Sequence, residues 1–390
     1  MLTFEGFQGI NNVQPESRLK ASDLLIASNV DIGLTGEISR RSGFTQISDQ
    51  CHKNLHEAPG FMLATVDGVL TAIHQDGLRV ALDSRLGPQR IWYCNLPDGR
   101  VTYSNGAVQG VTDGHSFVDR CVPVPGNSAA QDFCFGQLDP GRYRYCLTYL
   151  RLSDRLEGSA SQAIEVFIDQ GQGLQLDGLP VLEGHAINVY LTGRDGEAMY
   201  LAGSTLTGSF AFAGSNAELV LPCRTVGTMP FPLGSITAFW RGRLLVAQGN
   251  VLWASRPSSL HLAEWRDFRP MESEITAVVA VDTGIYVGTK RDLILLGGET
   301  FDGLSYTATK RGPVVLGSGI GVPGERILAG EGTGAGSAML CIAGGGIVAG
   351  FNGGQTECLT EGRFKTKAVE VSATFREVDG IPQYMAVPHA

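Results

Sequence analysis

The chain has 390 residues, 43% of them apolar, and a formal net charge of −9. That length allows two or three domains with a large core, and that apolar share excludes a disordered chain. With no cluster of basic residues, the acidic balance argues against sequence-specific nucleic-acid recognition, yet it suits a surface past which DNA slides without sticking.

Glycine supplies 52 residues, above the usual share of about 7%. The glycines sit at hairpin positions and follow no fixed short period. Helix-favouring, charge-laced stretches are scarce. An all-β protein with many tight turns follows.

Residues 1–57 read as an N-terminal arm and hairpin, with a short helix expected over 17–27. Arg40 and Arg41 read as a solvated strand face or, less simply, as binding residues.

Residues 58–125 hold the first propeller blades. The governing phrase is an apolar run, a Gly-containing turn and a second apolar run. It appears in Ala64-Thr65-Val66-Asp67-Gly68-Val69-Leu70-Thr71-Ala72-Ile73, followed by Gln75-Asp76-Gly77 and Leu78-Arg79-Val80-Ala81-Leu82. A looser copy centres on Asp98-Gly99. Asp-Gly and Asn-Gly provide the positive φ that a two-residue hairpin needs.

Residues 126–225 have another rhythm. Pro123, Pro125, Gly126, Asn127, Ser128 and Ala129 read as a linker into them. Tyr143-Arg144-Tyr145-Cys146-Leu147-Thr148-Tyr149-Leu150 alternates strictly, as a half-buried strand does. Further strands are expected over 163–168, 174–176, 186–191, 198–202 and 209–212. Such a density fits an inserted immunoglobulin- or fibronectin-like β-sandwich.

Residues 226–390 resume the blades. Phe239-Trp240-Arg241-Gly242-Arg243-Leu244-Leu245-Val246-Ala247 leads into Val251-Leu252-Trp253-Ala254-Ser255. Val281-Asp282-Thr283-Gly284-Ile285-Tyr286-Val287-Gly288 leads into Leu293-Ile294-Leu295-Leu296, and a looser copy centres on Gly344-Gly345-Gly346. Residues 368–375 read as a final strand that pairs with the N-terminal region and closes the ring. One such meander cannot bury its own faces, so several must stack. The fold expected is an irregular β-propeller with an inserted sandwich; the competing reading is a β-sandwich with chance similarity between hairpins.

The eight cysteines (Cys51, Cys94, Cys121, Cys134, Cys146, Cys223, Cys341 and Cys358) form no Cys-x-x-Cys pair. Met1-Leu2-Thr3-Phe4-Glu5-Gly6 lacks the basic start and apolar run expected of a signal peptide, and no apolar run approaches the ~20 residues of a membrane span. Free, mostly buried thiols in a protein made in a reducing cytosol are expected.

Catalytic motifs are missing. Gly317-Ser318-Gly319-Ile320-Gly321 lacks the glycine spacing and following helix of a nucleotide loop, and reads as loop punctuation. His52 and His56 are four apart but lack carboxylate partners, and exposed loop residues are the plainer reading. Lys310-Arg311 forms a small basic patch. No catalytic, cofactor-binding or metal-ligating residue is singled out.

Three N-terminal phrases bear a family likeness: Phe4-x-Gly6 to Asn11-Asn12, Ala27-x-Asn29-Val30-Asp31, and Gly36-x-Ile38-x-Arg40-Arg41-x-Gly43. So do Gly242-Arg243-Leu244-Leu245-Val246-Ala247 to Trp253-x-Ser255-x-Pro257, Ile275, and Gly284-Ile285-Tyr286-Val287-Gly288-Thr289. Together they resemble the tail nozzle, or packaged-DNA stabilisation hub, proteins of short-tailed bacteriophages. The likeness covers the arm and middle blades and thins beyond residue 300.

That resemblance implies a non-enzymatic virion protein of the tail, assembled in the host bacterial cytoplasm, without a cofactor. It implies a homo-oligomeric ring, a hexamer, that joins the portal-adaptor ring and other tail proteins. The ring would retain packaged DNA and conduct it at ejection without reading its sequence. The alternative is a carbohydrate-binding or carbohydrate-active propeller, with Trp92, Trp240, Trp253 and Trp265 stacking on sugars.

Overall fold

The computed structural model describes residues 6–33, 35–126, 129–329, 332–378 and 380–389. Phe4 and Glu5 of the opening phrase, and Asn127 and Ser128 of the expected linker, lie outside them.

Among the described residues, five four-stranded antiparallel meanders form the blades of a β-propeller. In chain order their first strands are His52–Ala58, Trp92–Asn95, Ser235–Trp240, Ile275–Val281 and Ile320–Pro323. From the second blade to the fifth, each of these first strands lies against the next, while the first and second blades share one apolar cluster around Leu63, Leu70, Val101 and Tyr103.

Turn chemistry set these meanders. Asp67 and Gly68, Arg241 and Gly242, and Gly344 and Gly345 each place two successive residues at positive φ, the geometry whose twist matches the flanking strands. Arg241 accepts φ 46° without being Asn, Asp or Gly. Its guanidinium donates to the Glu299 carbonyl (3.0 Å) and the Asp282 carbonyl (2.9 Å), which ties this turn to the fourth blade.

The repeating phrase in the sequence stops at three strands, and the structure adds one more: the first strand, His52–Ala58, in the first blade, and the last strand in the third and fourth blades. Those two last strands are short and wet. All four residues of Ser305–Ala308 are exposed, and Phe268–Pro270 has only one half-buried residue. Without a buried face they leave no apolar pattern to read. Another repeat is invisible in the sequence. The pairing of first with second strand shifts register in the first, third and fourth blades, between Lys53 and His56, Ser235 and Thr237, and Ile275 and Ala277. A bulge raises local twist, as strands crowded near a hub require.

The sandwich interrupts the blades after the second. Ala130–Phe135, Gln172–Asp177 and Ser209–Phe212 make a three-stranded sheet in that spatial order. Ile164–Ile168, Gly141–Arg151, His185–Thr192 and Met199–Thr205 make a four-stranded sheet. Tyr143, Tyr145, Leu147 and Tyr149 alternate into the core between them. Strand 130–135 was not expected; its residues are mostly exposed and offer no alternation. The Arg151 guanidinium donates to the Asp119 carbonyl (2.6 Å), and a ring nitrogen of His261 lies 2.9 Å from the Glu157 carbonyl. Both contacts moor the sandwich to the blades.

Two expectations at the ends of the chain need correction. The helix over 17–27 is one 3-10 turn, Glu16–Arg18, with no buried residue to hold a longer one. The tail strand does not pair with the N-terminal region. Val371–Val378 pairs with Ile381–Pro388 in a two-stranded hairpin, seated on the fifth blade by Phe375 and Tyr384. Among the described residues, no helix is long and apolar enough to cross a membrane.

Candidate assembly surfaces and closure seam

Two sets of contacts tie the chain ends to the blades. The first is the N-terminal arm. The Asn12 amide NH donates to the Arg363 carbonyl (2.9 Å), and the Asn12 side chain donates to the Lys365 carbonyl (2.8 Å). Asp23 pairs with Arg363 at 2.8 Å while its own side chain is almost covered. Burial opposes the Asp23 charge, but a backbone amide, Asn11 and Arg363 outweigh it and hold the carboxyl below its ordinary range.

The second is a seam on Arg90, in the link between the first two blades. Its fork donates to Glu370 (2.7 Å) and to the Val371 carbonyl (2.9 Å), and its guanidinium lies 4.2 Å from the Trp92 ring centre. Leu316 and Val371 bond through their backbones beside it (2.9 Å). Gly317 has φ 75°, and a Cβ there would overlap both the Arg90 fork and the Val371 carbonyl. The expected closing strand is thus replaced by an arginine clamp on the base of a hairpin. A single Arg before a Trp gives no signal for this in the sequence.

Beyond the arm's anchor, apolar side chains reach into solvent. Residues 37–47 are all exposed. Phe44 is 92% and Ile47 94% accessible, although each would ordinarily be buried. On the sandwich, Phe135 is 96% and Phe167 67% accessible, both beside the 169–171 turn.

The other singled-out residues fall elsewhere. Arg41 pairs with Asp31 at 2.9 Å on the small hairpin formed by Val30–Ile32 and Ile38–Arg40, a solvated strand face. The Lys310 amide donates to Asp292 (3.1 Å), and Arg311 bonds Thr356 of the fifth blade's last strand, so this patch fastens the fourth blade to the fifth. Ser318, inside the Gly-rich loop, is buried; its hydroxyl donates to the Val315 carbonyl (2.7 Å) and accepts from the Ile342 amide (3.1 Å). That loop is an entry turn into the fifth blade.

Trp240 is core, and Trp253 is half-buried against Phe268 with ring centres 5.1 Å apart. Trp92 lies under Arg90, whereas Trp265 is 64% accessible and carries Arg266 over its ring. Of these four tryptophans, Trp265 alone is exposed.

His52 and His56 lie on a strand, not in a loop. His56 is half-buried, stacks on Tyr93 at 4.7 Å and bonds Asn95 at 2.8 Å. The His52 ring nitrogen bonds the Gln50 carbonyl (2.9 Å), so each histidine is engaged with its own neighbours. Among the described residues, no cluster of His, Cys, Asp and Glu is arranged to hold a metal ion. The eight thiols are free, but only Cys146 and Cys341 are buried, five are half-buried and Cys51 is exposed.

No protein-family model and no curated protein matches the sequence. Among solved structures the chain is similar to a streptogramin B lyase, at 10% identity over 83% of this chain and 85% of that one, with a TM-score of 0.31. It is similar to the computationally designed Ika8 protein, at 11% identity over 93% and 94%, TM-score 0.36. It is similar to the Dos1 propeller, at 8% identity over 89% and 76%, TM-score 0.32. At that level none of these speaks to an activity, ligand or partner of this chain.

Proposed function

We propose that this chain is a non-enzymatic wall-building subunit, the tail nozzle of a short-tailed bacteriophage. It assembles as a homo-oligomeric ring, a hexamer, that retains packaged DNA and conducts it during ejection. The observation that carries this reading is the uncovered apolar arm, with Phe44 and Ile47 almost fully in solvent.

Burying one such side chain contributes about 1.5–3 kcal/mol. Large exposed apolar groups on a projecting segment mark an interaction surface. The arm and the 169–171 end of the sandwich are two different patches. A closed ring needs heterologous contacts of that kind, one surface of a subunit meeting another surface of the next. The net charge of −9 supports passage of DNA without retention, because phosphates gain nothing from an acidic wall. In the phage reading the outer ends of the ring meet the portal-adaptor ring and other tail proteins, within a virion built in the host cytoplasm.

Electron microscopy and light scattering of the full chain test the proposal. Rings with a central opening are expected, and Phe44→Asp with Ile47→Asp should leave folded monomers. A wild-type chain that stays monomeric at high concentration would sink the ring.

A further inference from the structure

A buried charge in the second blade is not used by the assembly reading. Arg120 follows the last strand of that blade, Phe117–Asp119, and is only 2% exposed. Its acceptors are all neutral: the Thr102 hydroxyl (3.3 Å), the Gln109 side-chain oxygen and the Pro232 carbonyl (3.4 Å). The Phe231 ring lies 5.0 Å below the guanidinium. Arg120 Nε is buried with no partner.

The neighbouring thiols supply no counter-charge. Cys121 donates to the Phe231 carbonyl (3.4 Å). Burial pushes the Cys94 thiol up to about 12 and raises Cys121 as well, so both stay protonated. Burial also pulls Arg120 down to about 10, which leaves it cationic at neutral pH. A buried charge without an opposite charge is costly, and an anion bound beside it would offset that cost.

Arg120 lines a cavity of about 300 Å³ between the second blade, the third blade and the sandwich. Asp98, Arg100, Ser258, Leu260 and His261 are among its other lining residues. Asp98 is already neutralised by Arg100, through bonds of 2.8 and 2.6 Å. His261 is committed to the Glu157 carbonyl, and burial lowers its pKa so that it stays neutral. The uncompensated charge in the cavity is therefore that of Arg120, and its rim is exposed at Asp98, Arg100 and Ser258.

We propose that this cavity is a binding site for a small oxyanion, a phosphate or carboxylate compound, anchored on the buried Arg120 charge and its unpartnered Nε–H. Both Nη groups already serve protein acceptors, so the positive charge and the unpartnered Nε–H hold the anion, and the volume suits a small ligand. The site stands whether or not the chain forms a ring.

The test is a titration of the full-length chain with inorganic phosphate, and separately with acetate. Chloride holds ionic strength constant, and thermal melting and ³¹P line broadening are read. Saturable binding by phosphate, acetate or both is expected, and the pattern assigns the oxyanion class. Arg120→Lys should weaken it at least about tenfold, the loss of one charge-assisted bond. Leu260→Trp, which fills the cavity without touching Arg120, should abolish it while the chain stays folded. The site is overturned if wild type saturates with neither anion, or if a folded Leu260→Trp variant binds like wild type.

Discussion

Arg90→Ala tests whether side chains close this propeller. The change removes one bond to Glu370 (2.7 Å), one to the Val371 carbonyl (2.9 Å) and the stacking over Trp92 (4.2 Å). Two charge-assisted bonds at about 1.5 kcal/mol each and one cation–π contact at about 1 give roughly 4 kcal/mol. The Arg90 and Glu370 side chains keep 23% and 34% exposure. Screening and non-additivity bring the expected loss to about 2–3 kcal/mol. Arg90→Lys keeps the charge but not the fork, so it should lose about half as much. Denaturant unfolding gives the free energy, and hydrogen exchange of residues 369–373 locates it. Exchange there should rise well before global unfolding. Arg142→Ala serves as the control, since its pair with Glu165 is long (3.9 Å) and exposed, and should change stability by less than about 0.5 kcal/mol. If Arg90→Ala behaves like that control, and exchange at 369–373 is unchanged, the clamp does not close the ring.

Other outcomes follow from the same packing. Burial would raise the Asp83 carboxyl, but the Arg85 fork, the Arg85 amide and the Tyr103 hydroxyl outweigh it and hold the pKa below the usual range. A depressed folded value gives stability that is full above the unfolded value of about 3.9 and is lost as pH falls through the folded one. Unfolding measured from about pH 6 to pH 3 should therefore fall more steeply for wild type than for Asp83→Asn; equal slopes would count against this. At neutral pH, Asp83→Asn should already cost about 2–3 kcal/mol. Trp240→Ala should cost about 3–5 kcal/mol, whereas exposed Trp265→Ala should stay within about 0.5, as read by thermal melting. Phe44→Asp with Ile47→Asp should leave monomer stability within about 0.5 kcal/mol of wild type, because neither side chain is packed. A large drop there would mean that the arm belongs to the fold and not to an interface.

Much of the fold is local and therefore legible in the chain. Asp67-Gly68 and Gly344-Gly345 force tight hairpins, and the apolar runs beside them alternate or stay continuous according to how many faces are buried. The same logic marks Tyr143–Tyr149 as a sandwich strand, with alternate tyrosines in the core. From such signals came the all-β class, the blades and the splice between them. Long-range pairing leaves no such trace. The last strands of the third and fourth blades are too exposed to show a pattern, and the tail strand paired with its own continuation because Val378 and Ile381 are close in sequence, so joining them costs less entropy than reaching the first residues. Whether Arg90 clamps a hairpin, or Arg120 is sealed away without a carboxylate, depends on partners far away in sequence: 280 residues for the first and 112 for the second. Sequence fixes what each short segment must be, because turns and periodicity act over a few residues. Only the tertiary structure decides which side chains meet across blades, because those contacts are chosen by packing and electrostatics after the segments are made.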